Sequence, residues 1–95
     1  METQITCFDF DRCQLLTRRA AQANLGVGQT TLKVWRLGDR RQGVEPRLLQ
    51  GVHWFQPSHG LILYNVTMIR DWLANPDTHH RAVEAFLASQ PSSQV

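Results

Sequence analysis

An α+β fold, mostly helical and laid out as a winged helix-turn-helix, is what three features of the chain predict. Two stretches of helical apolar spacing, residues 16–27 and 29–37, are joined by Leu25-Gly26-Val27-Gly28. Two short β-prone runs, Val52-His53-Trp54-Phe55 and Leu61-Ile62-Leu63-Tyr64, flank the turn-rich Gln56-Pro57-Ser58-His59-Gly60. A further helical segment then closes at Asn75-Pro76. Helix, tight turn, basic helix, hairpin wing and closing helix follow one another in the order that architecture requires.

Each element has a local reason. Residues 4–10 are rich in β-branched and aromatic side chains, which predicts a short strand or ordered arm within residues 1–15. Thr17 stands where a helix N-cap belongs, and Leu16, Ala20, Ala23 and Val27 recur at helical spacing, with Ala21 widening the stripe. The small residues let a second helix approach closely, and Gly26 and Gly28 permit the sharp turn between the two. In the second helix Leu32 and Trp35 face inward, which turns Lys33, Val34 and Arg36 outward and leaves Gln29 and Thr30 at the exposed start.

Residues 38–46 form a charge-dense surface linker, and residues 52–64 form the two-stranded hairpin. Asn65 caps a helix with Ile69, Trp72 and Leu73 on one face, and Asn75-Pro76 stops it. Asp77 or Thr78 then caps a short C-terminal helix bearing Val83, Phe86 and Leu87, ahead of a polar tail. The predicted organisation is an arm over residues 1–15, the winged helix-turn-helix over 16–75, and a helix and tail over 76–95.

With 95 residues and 42% hydrophobic content the chain can bury one modest core. The net charge of +2 conceals a sorted distribution. Residues 12–47 hold eight basic side chains against Asp39 and Glu45, a local charge of +6, whereas residues 1–11 carry −3 and residues 48–95 carry −1. An electropositive middle block suits a polyanion. No apolar run reaches the roughly 18 residues of a membrane span, and the start lacks a signal-like core, so a cytoplasmic, nucleoid-associated protein without membrane contact is expected.

Cys7 and Cys13 are read as reduced thiols, the first packed and the second incidental. Their spacing, with scattered His53, His59, His79 and His80, does not form a zinc pattern, so neither metal nor cofactor is expected. Asp9 and Asp11 fall two apart but read as acidic residues of an arm, and no catalytic residues are assigned. Trp35, Trp54 and Trp72 read as core rather than as stacking platforms for single-stranded bases. His79-His80 is expected to be exposed at a helix start, and His53 either lies near the wing or points inward.

Gly26-Val27 followed by Thr31-Leu32-Lys33-Val34-Trp35-Arg36 resembles the turn and recognition helix of MerR-like winged-helix domains. Gly51-Val52-His53-Trp54, Leu63-Tyr64-Asn65 and Ile69-Arg70-Asp71-Trp72-Leu73 resemble the hairpin and closing helix of small phage-type excisionases. The likeness covers about residues 16–74. It implies an excisionase-like recombination directionality factor, which bends DNA beside an integrase or recombinase and catalyses nothing itself. The chain departs from the pattern at Arg18, where an apolar side chain is frequent, and in the arginine-rich linker of residues 38–46.

The residues point to double-stranded DNA independently of that likeness. A helix fits the major groove, where Lys33 and Arg36 can reach guanine and Gln29 can pair with adenine. Thr30 and Thr31 can donate to phosphate, Arg40, Arg41 and Arg47 can track the backbone, and Ser58 and His59 can lie over the minor groove with Gln56. Two other readings are a small dimeric transcriptional regulator or antitoxin-like repressor, and a protein-interaction adaptor using the C-terminal apolar helix. Both draw on self-association or docking through residues 77–90.

Overall fold

A computed structural model describes residues 13–89. The expected strand at residues 4–10, together with Cys7, Asp9 and Asp11, lies outside the described residues. The elements are β1 (Leu15–Thr17), α1 (Arg18–Leu25), α2 (Gln29–Leu37), a 3-10 turn (Arg40–Gln42), β2 (Trp54–Ser58), β3 (Leu61–Asn65), α3 (Val66–Ala74) and α4 (His79–Ser89). Among the described residues the protein is thus a small α+β fold, about half helical, with four α-helices and a three-stranded antiparallel sheet of order β1-β3-β2.

β1 is a strand where only a helix cap was expected. Leu15 and Thr17 pair with Asn65 and Leu63 of β3. The flanking backbone is fixed as well: the Gln14 N–H donates to Thr67 Oγ1 at 2.9 Å, and the Val66 N–H donates to the Gln14 carbonyl at 3.0 Å. Thr17 does precede α1, but its side chain makes no capping hydrogen bond.

The turn between α1 and α2 follows the glycine logic. Gly26 takes φ +71°, and its N–H and that of Val27 both donate to the Gln22 carbonyl, at 2.8 and 3.1 Å. The inward stripe of α1 differs from expectation, because Ala21 is buried while Ala20 and Ala23 are exposed. Beginning the helix at Arg18 puts Ala21 and Leu25, four apart, on the packed face.

Two apolar clusters make the core. The first joins Ala21, Leu32, Leu48, Trp54, Tyr64, Val66 and Ile69, with Trp35 and Trp72 packed against it edge to face at 5.2 Å and 88°. The second joins Val52, Met68, Ala82 and Phe86, so α4 packs its apolar side onto the same body. Of the predicted stripes, Leu73 and Leu87 remain about half exposed, at 46% and 51%. In their place Met68 and Ala82 fill the core.

The hairpin begins later and turns more tightly than its sequence suggested, because Val52 and His53 lie in a turn ahead of β2. β2 runs through Ser58, with an irregularity between Phe55 and Ser58, and the turn narrows to His59-Gly60, where Gly60 has φ +85°. Asn65 caps α3 as expected, its Oδ1 accepting from the Met68 N–H at 3.1 Å. Its Nδ2 donates to the Val52 carbonyl at 3.0 Å, which ties the residues ahead of the hairpin to the start of α3.

Candidate functional site

α2 is set by two different faces. Leu32 is fully buried and Trp35 half-buried, while Gln29, Thr30, Thr31, Lys33 and Leu37 are exposed. Gln29, Lys33 and Leu37 recur every four residues, so they form one ridge. Beside them Gln29, Thr30, Lys33, Val34, Leu37, Gly38 and Asp39 line an open depression. The first-turn N–H groups of the helix point to the same end, because an α-helix leaves its first donors without intrahelical partners.

Arg36 departs from its predicted place on the outward face. It is half-buried, its Nε donates to Tyr64 Oη at 2.9 Å, and its guanidinium lies 5.2 Å from the centroid of the Trp54 ring. The cause is periodicity: Arg36 sits four residues after Leu32 and therefore shares the packed flank of the helix. Val34, also expected outward, is half-buried. The exposed basic group within α2 is therefore Lys33 alone.

Beyond α2 the chain doubles back on itself. Gly38 takes φ +79°, and a Cβ there would meet the Val44 carbonyl oxygen at 2.6 Å and the Pro46 nitrogen at 2.9 Å. The Asp39 and Val44 backbones bridge, and the Asp39 side chain accepts from the Arg41 N–H at 3.0 Å. The N–H groups of Arg47 and Leu48 then both donate to the Trp35 carbonyl, at 2.8 and 3.0 Å. Arg40, Arg41 and Arg47 are exposed on this closed loop after α2, with Asp39 and Glu45 as acidic neighbours.

Ser58 and His59 are exposed at the hairpin tip, as is Gln56. They do not share the depression beside Lys33. Between hairpin and helices lies a second cleft, lined by Arg18, Arg19, Arg36 and Tyr64 and by residues 60–62. Arg18 and Arg19 were not among the predicted contacts; two adjacent arginines at a helix start were the available signal.

The other titratable cluster is internal. His79, predicted to be exposed, is 7% exposed, and His53 is 2% exposed. The Leu49 N–H donates to His53 Nδ1 at 2.9 Å, which leaves the proton of the neutral ring on Nε2. That Nε2 faces His79 Nε2 at 2.8 Å, and His79 Nδ1 faces Asp71 Oδ2 at 2.7 Å. Donation therefore runs in one direction from Leu49 through both imidazoles to the carboxylate. Asn75 Nδ2 satisfies the other carboxylate oxygen at 3.1 Å. Burial, followed by the neighbouring His79, lowers the His53 pKa from 6.5 to about 4. Every ring nitrogen is used within the chain, so the cluster ties α4 to α3 and to the residues ahead of β2 and presents nothing to a ligand.

Among the described residues no helix is long and apolar enough to cross a membrane. The chain matches no protein-family model, no curated protein and no solved structure.

Proposed function

We propose that this protein is a winged helix-turn-helix module that binds double-stranded DNA, with α2 entering the major groove and the β2–β3 hairpin acting as the wing. The observation that carries the reading is the exposed ridge of α2, where Gln29, Thr30 and Lys33 stand free of the core beside the closed loop bearing Arg40, Arg41 and Arg47. A helix presenting amide, hydroxyl and ammonium groups meets the donor and acceptor pattern of base edges, and exposed arginines beside it meet phosphates. Lys33 and Gln29 take the base-reading role. Arg36 instead holds α2 against Tyr64 and Trp54.

The narrower role we propose is that of an excisionase-like recombination directionality factor, bending DNA beside an integrase. The resemblance of Thr31 to Arg36 and of Gly51 to Leu73 to that family supports it. Docking through α4 has less to draw on, since Ala82 and Phe86 are spent on the core and Leu87 alone of the predicted stripe stays exposed.

Titration of a fluorescent mixed-sequence duplex at low salt tests the reading. Binding at micromolar protein that weakens steeply with salt is expected, and no binding there overturns it. Lys33→Ala should cost about 1 to 3 kcal/mol at a preferred site and flatten sequence preference. Bending of attachment-site fragments supports the recombination role, whereas preference for palindromic half-sites one helical turn apart replaces it with a dimeric regulator.

A further inference from the structure

We propose that the cleft between the start of α1 and the β2–β3 hairpin is a phosphate seat, filled by the phosphodiester backbone that separates the major and minor grooves. The proposal rests on the DNA-binding reading and adds a site to it. If α2 enters one groove and the hairpin lies over the next, the intervening strand must pass between them. The cleft has Arg36 of α2 and residues 60–62 of the hairpin both in its lining.

Its walls are built for an anion. Arg18 and Arg19 come from the first turn of α1, Arg36 from the flank of α2, and residues 60–62 of the hairpin form the opposite side of a space of about 290 Å³. No carboxylate is among the lining residues. Arg18 and Arg19 are exposed and, among the described residues, make no ion pair or hydrogen bond through their side chains.

Arg36 is prepositioned, which lowers the ordering cost that a mobile arginine would bring to binding. Its Nε is occupied by Tyr64 and its guanidinium is braced against Trp54, at 2.9 Å and 5.2 Å. The four remaining guanidinium hydrogens have no partner among the described residues. Two oxygens of a phosphate in the cleft would accept from the two Nη groups, the end-on fork that guanidinium keeps when its Nε is occupied. This gives Arg36 two uses, one toward the core and one toward the ligand, and explains why an arginine rather than an apolar residue occupies a packed helix flank.

The test uses the full chain and the double variant Arg18→Ala/Arg19→Ala, which changes exposed side chains only. The salt dependence of binding to a mixed 20-bp duplex is measured for both, each lost phosphate contact lowering the slope of log affinity against log salt by roughly 0.9. A decrease of about 1 to 2 in the variant supports the seat, and an unchanged slope with duplex still bound overturns it while leaving the DNA-binding reading intact. In parallel, inorganic phosphate is titrated at constant ionic strength while the Arg36 side-chain Nε–Hε resonance is followed by NMR. If the wild type fails to bind duplex but that resonance moves at millimolar phosphate, and does not in the double variant, the DNA reading falls and the seat belongs to a free phosphate group. If neither duplex nor phosphate produces a response, both proposals fall.

Discussion

The α2 end of the molecule and the α4 end are stabilised by different means. α1 and α2 meet the sheet through apolar packing around Leu32, Tyr64 and Ile69, and a glycine turn sets their approach. α4 meets the same body through a smaller apolar cluster, centred on Phe86 and Met68, closed by the buried run from Leu49 through His53 and His79 to Asp71. Apolar contact is indifferent to pH. A buried imidazole is not, so acid should separate the two ends.

The largest effect should come from emptying the smaller cluster. Phe86→Ala is expected to cost about 3 to 5 kcal/mol in urea unfolding, because a fully buried aromatic side chain is replaced by a cavity. Leu87→Ala next to it, with the side chain 51% exposed, should change stability by less than about 1 kcal/mol. Equal costs for the two would mean that α4 does not pack as described.

Acid comes next. The His53 pKa is about 4 in the fold and near 6.5 unfolded, so the folded state binds fewer protons between those values. The stabilisation this gives is fully present above pH 6.5 and is lost as pH falls toward 4, by roughly 3 kcal/mol in all. His53→Gln should remove that acid limb. The indole fluorescence of Trp35 and Trp72, at the other end, should respond later than amide exchange within α4.

A third comparison concerns the loop after α2. Gly38→Ala should destabilise by about 2 kcal/mol, since it combines an unfavourable φ with a collision against backbone, and it should weaken duplex binding by displacing Arg40 and Arg41. Gly43→Ala, where a Cβ meets nothing within 4 Å but φ is +70°, should cost about 1 kcal/mol. The smallest contrast lies within α2 itself. Arg36→Met should lower stability by about 1 kcal/mol through loss of the Tyr64 and Trp54 contacts, and Lys33→Met should leave it within about 0.5 kcal/mol.

The same division decides what the sequence revealed. Apolar periodicity and glycine placement located α2 at residues 29–37, the turn before it, the hairpin and the Asn65 cap, because each depends on near neighbours in the chain. β1 was hidden because its pairing partner lies nearly fifty residues away and only three residues take part. The burial of His79 was hidden because both its partners, Asp71 and His53, come from other elements. On the surface, Gln29, Thr30, Thr31, Lys33, Arg40, Arg41, Arg47, Ser58 and His59 are all exposed. Arg36 follows Trp35 in the chain but shares the packed flank of Leu32 four residues earlier, and the Arg18 and Arg19 cleft depends on where the distant hairpin folds.

One carbonyl, that of Trp35, receives the N–H groups of both Arg47 and Leu48, so the chain leaves α2 and returns to almost the same point. Helix and loop therefore form a cartridge, closed at its base and loaded with side chains that the rest of the protein does not need. Exchanging its outer residues can alter this surface without asking the core to refold, and the loop at Gln42-Gly43 can be lengthened while the base stays latched.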